Sequence, residues 1–396
     1  MKTESDIEVK ATSRRNIFAL GAVSFFTDIS SEMVFSLLPT FLLSLPGGSI
    51  AILGFIEGTS EALSYVLRAI SGIFSDKFRK RKLLVLAGYG VSNVVKPFFA
   101  VARGPLDVFV VRVADRVGKA VRTPPRDALL SESVSEKRRG AAFGLHRALD
   151  QAGAIVGPVL ASTVLLVLGF TIRDVFWLSV IPGAFALVII LFVVRERIGE
   201  SDGDFKLLAG VRSVLKGRFS WLLVIVGVFS LGAFNFSFIL LNAQEAGIAN
   251  SFIPLVYAAV NVAHVAVAVP AGVLSDKVGK EKIMILGYGI FLSSVILIFL
   301  LPLNGFTALL VAVFYGAYFG IIETVQRALV PKYVHSNLVG TAYGIYYLIV
   351  GSAFFVSNAV VGSLWAYFGS SAASTYSIIT SVFAIAFMIL FLKRKR

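Results

Sequence analysis

The sequence contains no cysteine and only three histidines among its 396 residues. The missing thiols exclude a disulfide framework, thiol chemistry and any cysteine-ligated metal site. The histidines, His146, His264 and His335, are too scattered along the chain to indicate a zinc motif. A glycine-rich phosphate-binding loop is also missing, which argues against ATP-driven pumping by this chain. Nothing points to a Ser–His–Asp arrangement, so we predict that the chain is not an enzyme and uses neither metal nor cofactor.

Charged residues are scarce as well, at 15% of the chain, whereas hydrophobic residues make up 57%. A soluble core of this length could not bury so many apolar side chains. Apolar runs of about 20 residues, enough to cross the hydrocarbon layer of a bilayer, recur along the whole sequence. The composition therefore predicts an all-α, multi-pass membrane protein embedded in lipid.

Hydropathy, together with the positions of glycine, proline and charge, predicts twelve transmembrane helices. The six predicted spans of the first half cover residues 17–45, 50–74, 83–102, 105–122, 140–168 and 175–194. Those of the second half cover 219–243, 251–274, 283–301, 306–330, 338–366 and 372–392. The charged segment 195–218 between the halves has apolar residues at helical spacing, and it is either an interfacial helix or a solvated loop.

Basic residues set the expected orientation of the chain. Most of the 37 lysines and arginines lie in the two termini and in the connections after even-numbered spans, whereas the opposite connections carry only Arg103 and Arg173. Cytoplasmic loops of membrane proteins collect lysine and arginine. We therefore predict cytoplasmic termini in the cell membrane, and the net charge of +14 needs no nucleic-acid partner to explain it.

The two halves of the chain repeat each other. The pattern that begins at Gly72 and ends in Asp76 and Lys77 recurs 200 residues later, at Gly272, Asp276 and Lys277. Further repeats relate 88–90 to 287–289 and 140–144 to 340–344. Matches at offsets of 199 and 200 residues predict two related six-helix bundles, the arrangement of transporters that rock two halves about a central site. The predicted domains are residues 1–194, a cytoplasmic linker over 195–218, and residues 219–396.

Several motifs resemble those of the major facilitator superfamily. The segment 72–81 is similar to the cytoplasmic signature of that superfamily, with Arg79 where the pattern has glycine. The run from Arg112 to Ala120 resembles the fourth-helix signature linked to proton coupling, and Gly153, Gly157 and Pro158 resemble part of the antiporter motif. The resemblance covers nearly the whole chain. It implies the major facilitator fold, alternating access and, from the antiporter motif, export coupled to protons.

Charged residues inside the first-half spans are the candidates for coupling. A charged side chain at the centre of a bilayer costs about 2.5–3.5 kcal/mol, so these residues must pair or face water. Six acids and six cations lie there: Asp28, Glu32, Glu57, Glu61, Asp115, Asp150, Arg68, Lys96, Arg112, Arg116, Lys119 and Arg147. A carboxyl group that alternates between an arginine and isolation changes its proton affinity with conformation. We predict Asp28 or Glu32 as the proton carrier and Arg112 as its switch, with Glu61, Asp115 and Asp150 as further candidates.

Two further groups of residues complete the predicted site. The predicted substrate-binding residues are Glu57, Lys96, Arg116, Arg147, Asn235, Tyr257, Asn261, His264 and Tyr346. The predicted gating residues are Asp76, Lys77, Asp276, Lys277, Glu323 and Arg327. A packing role competes with the functional one for His264, and structural ion pairs within the bundle compete with it for every acid. Gly153 and Gly157 are expected to allow close helix approach, which is a packing role.

The resulting hypothesis is a monomeric secondary transporter that binds a small molecule and is driven by protons or another ion. The leading function is proton-coupled export of a drug-like or amphipathic solute. Movement of an organic or inorganic anion is the alternative, since protonating the acids would leave a positive cavity. A non-transporting membrane sensor or a lipid-modifying enzyme is a further alternative that the internal repeat disfavours.

Overall fold

The computed structural model describes residues 4–78, 80–133, 136–196, 211–215, 217–335 and 338–393. Most of the predicted linker 195–218 lies outside these residues. The side chains of the predicted gating residues Asp76, Lys77 and Arg327 also lie outside the described part. The chain divides into two compact units, Met1–Phe35 with Leu63–Phe205, and Ser36–Ala62 with Lys206–Arg396.

The first unit is built on two closely packed helix pairs. Helix α1 (Glu4–Phe35) packs along α6 (Glu136–Val167), and α4 (Arg81–Val95) packs along α5 (Pro105–Glu132). Helix α8 (Val180–Phe192) contacts both α1 and α4, and the short α7 (Ile172–Leu178) packs on the 3-10 turn Lys96–Val101. The second half of α3 (Ile50–Phe78) completes this unit.

The second unit has a corresponding set of long helices. Its helices are α9 (Val211–Val214), α10 (Gly217–Ser230), α11 (Ser237–Glu245), α12 (Ile253–Val278), α13 (Lys280–Leu300), α14 (Gly305–Leu329), α15 (Val339–Phe368) and α16 (Ser370–Lys393). Helix α14 packs against α12 and α13, and α16 packs against α10, α13 and α15. The short α2 (Leu38–Ser44) packs on α11 in the same unit.

Close helix contacts repeat between the units, as expected from the sequence repeat. A Cβ atom added at Gly88 on α4 would lie 2.6 Å from the Cβ of Arg122 on α5. At the equivalent Gly287 on α13, it would lie 2.8 Å from the Cδ1 of Ile322 on α14. The repeat has thus kept the contact between two helices while replacing a buried cation with an apolar side chain.

Ten helices in the described part of the chain are long and apolar enough to cross a membrane. The predicted fourth span corresponds to α5. This helix is not among the ten, because it contains too many charged residues. The predicted seventh span is divided into α10 and α11 by the segment 231–236, which we call the α10–α11 break. A similar interruption separates α1 from α2 at 36–37, about 200 residues earlier.

Helix α5 continues ten residues beyond the predicted end of the fourth span at residue 122. Pro124 and Pro125 lie inside it, although proline lacks the N–H that would bond to the carbonyl four residues earlier. The carbonyl of Val121, freed by Pro125, accepts a 2.7 Å hydrogen bond from the hydroxyl of Ser71 on α3. The Ser71 hydroxyl of α3 therefore replaces the backbone hydrogen bond that proline removes, and α5 can continue.

Candidate functional site

An acid pair joins α1 to α6 in the first unit. The carboxyl groups of Asp28 and Asp150 are hydrogen-bonded to each other. Asp150 also accepts hydrogen bonds from the Ser24 hydroxyl through Oδ1 and, at 2.9 Å, from Arg147 Nη1 through Oδ2. Two carboxyl groups can form a hydrogen bond only if one of them carries a proton. We call Asp28 and Asp150 the acid pair.

Glycines on α6 bring the two acids together. A Cβ atom at Gly153 would lie 2.4 Å from the Phe25 carbonyl and 3.1 Å from the Asp28 Cβ. One at Gly157 would lie 2.7 Å from the Ile29 carbonyl. Any side chain at these positions would push α1 away from α6. The predicted packing role of both glycines is therefore confirmed, and it is also what places Asp28 against Asp150.

A cation cluster surrounds Asp115 in the same unit. Asp115 accepts a 2.6 Å hydrogen bond from Ser92 and lies 4.0 Å from Arg112 Nη1. The fully buried Lys96 donates to Asn93 at 2.8 Å and to Ser31 at 3.0 Å. We define the cation cluster as Lys96, Arg112, Arg116 and Asp115, because all three cations act electrostatically on this carboxylate.

Phe35 covers the cation cluster at the end of α1. The guanidinium of Arg112 stands 3.9 Å from the centre of the Phe35 ring, and that of Arg116 stands 5.3 Å from it. The negative face of an aromatic ring attracts a cation most strongly where water is excluded. Arg112 has no exposed surface, so the ring and Asp115 together stabilise its charge.

Some of the contacts among these charged residues agree with the spacing in the sequence, and others do not. Arg112 and Asp115 lie side by side on α5, as their spacing indicates. Asp28, however, faces Asp150 and Lys119, while Arg112 contacts Asp115 and Phe35. The half-buried Glu32 lies one turn beyond Asp28 on α1, next to Gly157. The proposed exchange of Asp28 with Arg112 therefore stays a prediction about another conformation.

Sequence reasoning missed Ser24, Arg126 and Asp127. Arg126 forms a two-nitrogen contact with Asp127 Oδ1, at 3.0 Å from Nε and 2.8 Å from Nη2, and its Nη1 lies 3.5 Å from the Ser24 oxygen. Ser24 was detectable, because it precedes Asp28 by one helical turn on the same face. Arg126 follows a double proline and lies beyond residue 122, where the predicted fourth span ends.

Polar and aromatic side chains in the second unit surround the α10–α11 break. The backbone N–H of Asn235 donates to Asn358 Oδ1 at 2.9 Å, and the Tyr315 hydroxyl donates to the Phe234 carbonyl at 2.8 Å. Tyr257 stacks on Phe236, with ring centres 4.3 Å apart. Interrupted helices in corresponding positions of two repeats are typical of transporter binding regions. Asn235 and Tyr257, predicted to bind substrate, lie at this break.

The remaining predicted residues of the second unit fall into separate contacts. Glu57 is buried and Glu61 half-buried on α3, where both act electrostatically on Tyr315. His264 on α12 lies 3.3 Å from Glu323 on α14, Asn261 is buried one turn before it, and the buried Tyr346 packs on Tyr347. Asp276 pairs with Lys280 at 2.7 Å, and the exposed Lys277 lies beside them.

Comparison with known families identifies the fold. The model of the Major Facilitator Superfamily matches residues 20–358 and 221–396. The chain belongs to the Major Facilitator Superfamily. It is a multi-pass membrane transporter, as its motifs and repeat predicted, and the expected all-helical fold is confirmed.

Relatives and solved structures support this assignment. The chain is 31% identical over 357 residues to an uncharacterized MFS-type transporter of Methanocaldococcus jannaschii, covering 89% of this chain and 88% of that one. It is 26% identical over 204 residues to the multidrug resistance protein MdtH of Photorhabdus laumondii, half of this chain and 49% of that one. A mutant of the nucleoside transporter NupG superposes with a TM-score of 0.80 at 12% identity, covering 96% of this chain and 99% of that one. That last likeness shows the fold alone.

Proposed function

We propose that this transporter exports a small molecule in exchange for protons, with Asp28 as the proton carrier. The acid pair is the observation that carries the proposal, because its hydrogen bond needs a proton deep inside a membrane-spanning unit. The partial antiporter motif on α6 and the partial similarity to a multidrug resistance protein support export. The expected location is the cell membrane, with both termini cytoplasmic.

The hydrogen bonds that Asp150 receives indicate which member of the pair holds the proton. Asp150 accepts from both Ser24 and Arg147, so two donors besides Asp28 converge on its oxygens. A carboxyl group that receives several hydrogen bonds is stabilised as the anion. Asp150 is therefore the ionised member, and the shared proton belongs to Asp28.

Proton release from Asp28 would leave two carboxylates in contact within a low-dielectric environment. Like charges this close repel strongly, so the dianion is stable only if a cation approaches or the two helices separate. Either response changes the contact between α1 and α6. This is the physical link between protonation and conformation that a proton-coupled transporter requires.

Transport in proteoliposomes with an imposed pH gradient tests the proposal. Panels of lipophilic cations and of carboxylate- or phosphate-bearing metabolites serve as candidate substrates, with Asp28→Asn, Glu32→Gln and Arg112→Ala compared with the unmodified chain. We expect Asp28→Asn to abolish accumulation against a substrate gradient while downhill exchange persists, since the site then lacks a transferable proton. Asp107→Asn, near the opposite end of α5 from Arg126, is the control and should transport normally.

Normal pH-driven accumulation by Asp28→Asn would refute Asp28 as the carrier. The same outcome for Glu32→Gln and Arg112→Ala would remove Glu32 as the alternative carrier and Arg112 as the switch, leaving Glu61, Asp115 and Asp150 as the predicted candidates. Loss of both accumulation and downhill exchange would indicate damage to the fold, which thermal stability in detergent separates from loss of coupling.

Anion transport is the second candidate function, and the cation cluster favours it. Three buried cations act on Asp115 within this cluster, and Asp28 and Glu32 also act on Lys96. A bound anion would offset their mutual repulsion. Uptake of an anionic metabolite, weakened by Lys96→Met and Arg116→Gln but unaffected by lipophilic cations, would support this function over export of drug-like solutes.

A further inference from the structure

Arg126 lies between two carboxylates of different exposure. On one side it holds Asp127 through two guanidinium nitrogens, and the Asp127 side chain is 43% exposed. On the other side Nη1 is 3.5 Å from the Ser24 hydroxyl oxygen, and that hydroxyl donates to Asp150. The Arg126 side chain itself is only 15% exposed. The Ser24 hydroxyl thus lies between Arg126 and the acid pair.

The polar network runs from the acid pair towards one membrane face. It passes through Ser24, Arg126 and Asp127. Ser24 precedes Asp28 by one turn on α1, and His146 precedes Asp150 by one turn on α6. Arg126 and Asp127 lie near the end of α5, which the basic-residue pattern places on the cytoplasmic side. The carboxylate of Asp127 is therefore one place, together with the Arg147 side chain, at which this polar network reaches the surface of the unit.

Among the described residues, charged and titratable groups on α1, α4, α5 and α6 face the network. The acid pair is surrounded by Glu32 on α1, Lys119 and Arg126 on α5, and Arg147 on α6. Arg126 faces Asp127, Asp150, Tyr89 on α4 and His146 on α6. Arg147 already bonds to Asp150, and its side chain is 46% exposed. Arg126 acts on Asp150 and also holds a second carboxylate, that of the partly exposed Asp127.

We propose that Arg126 is a mobile counter-cation, which exchanges Asp127 for Asp150 when Asp28 releases its proton. With the proton on Asp28, the pair carries one negative charge, and Arg126 remains on Asp127, as the structure shows. When the proton leaves, the pair carries two negative charges and attracts the guanidinium across Ser24. Asp127 is then released at the predicted cytoplasmic end of α5, so loss of a buried proton is transmitted to the membrane surface. This inference rests on the proposed role of Asp28.

The proton affinity of the acid pair provides a test that needs no substrate. The infrared band of protonated carboxyl groups is followed against pH in proteoliposomes, and the Asp28→Asn difference assigns the step that belongs to the pair. Asp127→Asn removes the competitor for Arg126, so the dianion becomes more stable and the midpoint should fall by about one pH unit. Arg126→Gln removes the counter-cation, so the midpoint should rise by about one pH unit.

The double variant distinguishes exchange of Arg126 between Asp127 and Asp150 from a direct electrostatic effect of Asp127 on the acid pair. If Asp127 acts through Arg126, the Arg126→Gln/Asp127→Asn variant should titrate like Arg126→Gln alone, within about 0.3 pH unit, because the two effects are not additive. Asp107→Asn serves as the matched control and should leave the midpoint unchanged. An Asp127→Asn shift of the same size with and without Arg126 would overturn the exchange, as would no shift at all.

Failure of the proposed role of Asp28 can be distinguished from failure of the proposed exchange of Arg126. If Asp28→Asn leaves the titrating step intact, Asp28 does not hold the proton and the proposed coupling site is wrong. If Asp28→Asn removes the step but the double variant behaves additively, Asp28 remains the proton carrier and only the exchange of Arg126 is rejected.

Discussion

At the scale of single residues, Asp115 determines whether the cation cluster is tolerated. It is 1% exposed and acts on Lys96, Arg112 and Arg116 at once. Removing one partner of a buried ion pair leaves an uncompensated charge and typically costs about 3–5 kcal/mol. We expect Asp115→Asn to lower the thermal unfolding temperature markedly, as measured in detergent with a dye-free fluorescence assay.

The matched control for this substitution is Asp107→Asn on the same helix. Asp107 lies in the first turn of α5, where its carboxylate accepts a 2.8 Å hydrogen bond from the exposed backbone of Arg103. Its loss should cost about 1 kcal/mol or less, as for a helix cap. Equal stability losses for the two variants would show that Asp115 does not neutralise the cluster.

Local and distant contacts of these residues were not equally predictable. Arg112 and Asp115 are three residues apart on one helix, and residues at that spacing are neighbours on the helix surface. Their contact could therefore be predicted from the sequence alone. The hydrogen bond between Asp28 and Asp150 joins residues 122 positions apart. Spacing within a helix cannot reveal such a contact, because it depends on how α1 and α6 are rotated against each other. Both acids were predicted as candidates, but their pairing was not.

At the scale of the helix, glycine spacing on α6 sets the distance to α1. Gly153 and Gly157 face the α1 backbone, whereas a Cβ at Gly144 on the same helix would meet nothing within 4 Å. Overpacking a tight contact costs about 1–3 kcal/mol, while glycine to alanine at an open helical position gains up to about 1 kcal/mol. We therefore expect Gly153→Ala to destabilise the protein and to weaken proton binding by the acid pair, and Gly144→Ala to be neutral or stabilising.

Thermal unfolding and the infrared titration measure both effects of these glycine variants. A Gly153→Ala protein with unchanged stability and an unchanged midpoint would mean that α1 can move away from α6 without disturbing Asp28 and Asp150. The sequence predicted that these glycines allow close helix approach. It did not predict that α5 continues through two prolines, because that depends on the Ser71 hydroxyl of another helix.

At the scale of the whole molecule, the repeat preserves helix contacts but not charge. Gly88 and Gly287 make corresponding close contacts, yet the first meets Arg122 and the second meets Ile322. Interrupted helices also recur about 200 residues apart, at 36–37 and at 231–236. The sequence predicted the repeat and the uneven charge. It did not predict the interruptions, since the polar residues of these segments, Ser36 and Asn235, lie within long apolar runs.

The orientation of the chain is the remaining whole-molecule prediction, and the absence of cysteine makes it directly testable. Because the sequence contains no thiol, a single introduced cysteine is the only site for a maleimide reagent. Asn250 lies in an exposed connection predicted to be extracellular, and Lys277 is exposed on the predicted cytoplasmic side. With a membrane-impermeant maleimide on intact cells, Asn250→Cys should be labelled, whereas Lys277→Cys should be labelled only after permeabilisation. The reverse pattern would place Asp127 on the outer face, so Arg126 would then transmit proton release to the opposite side of the membrane.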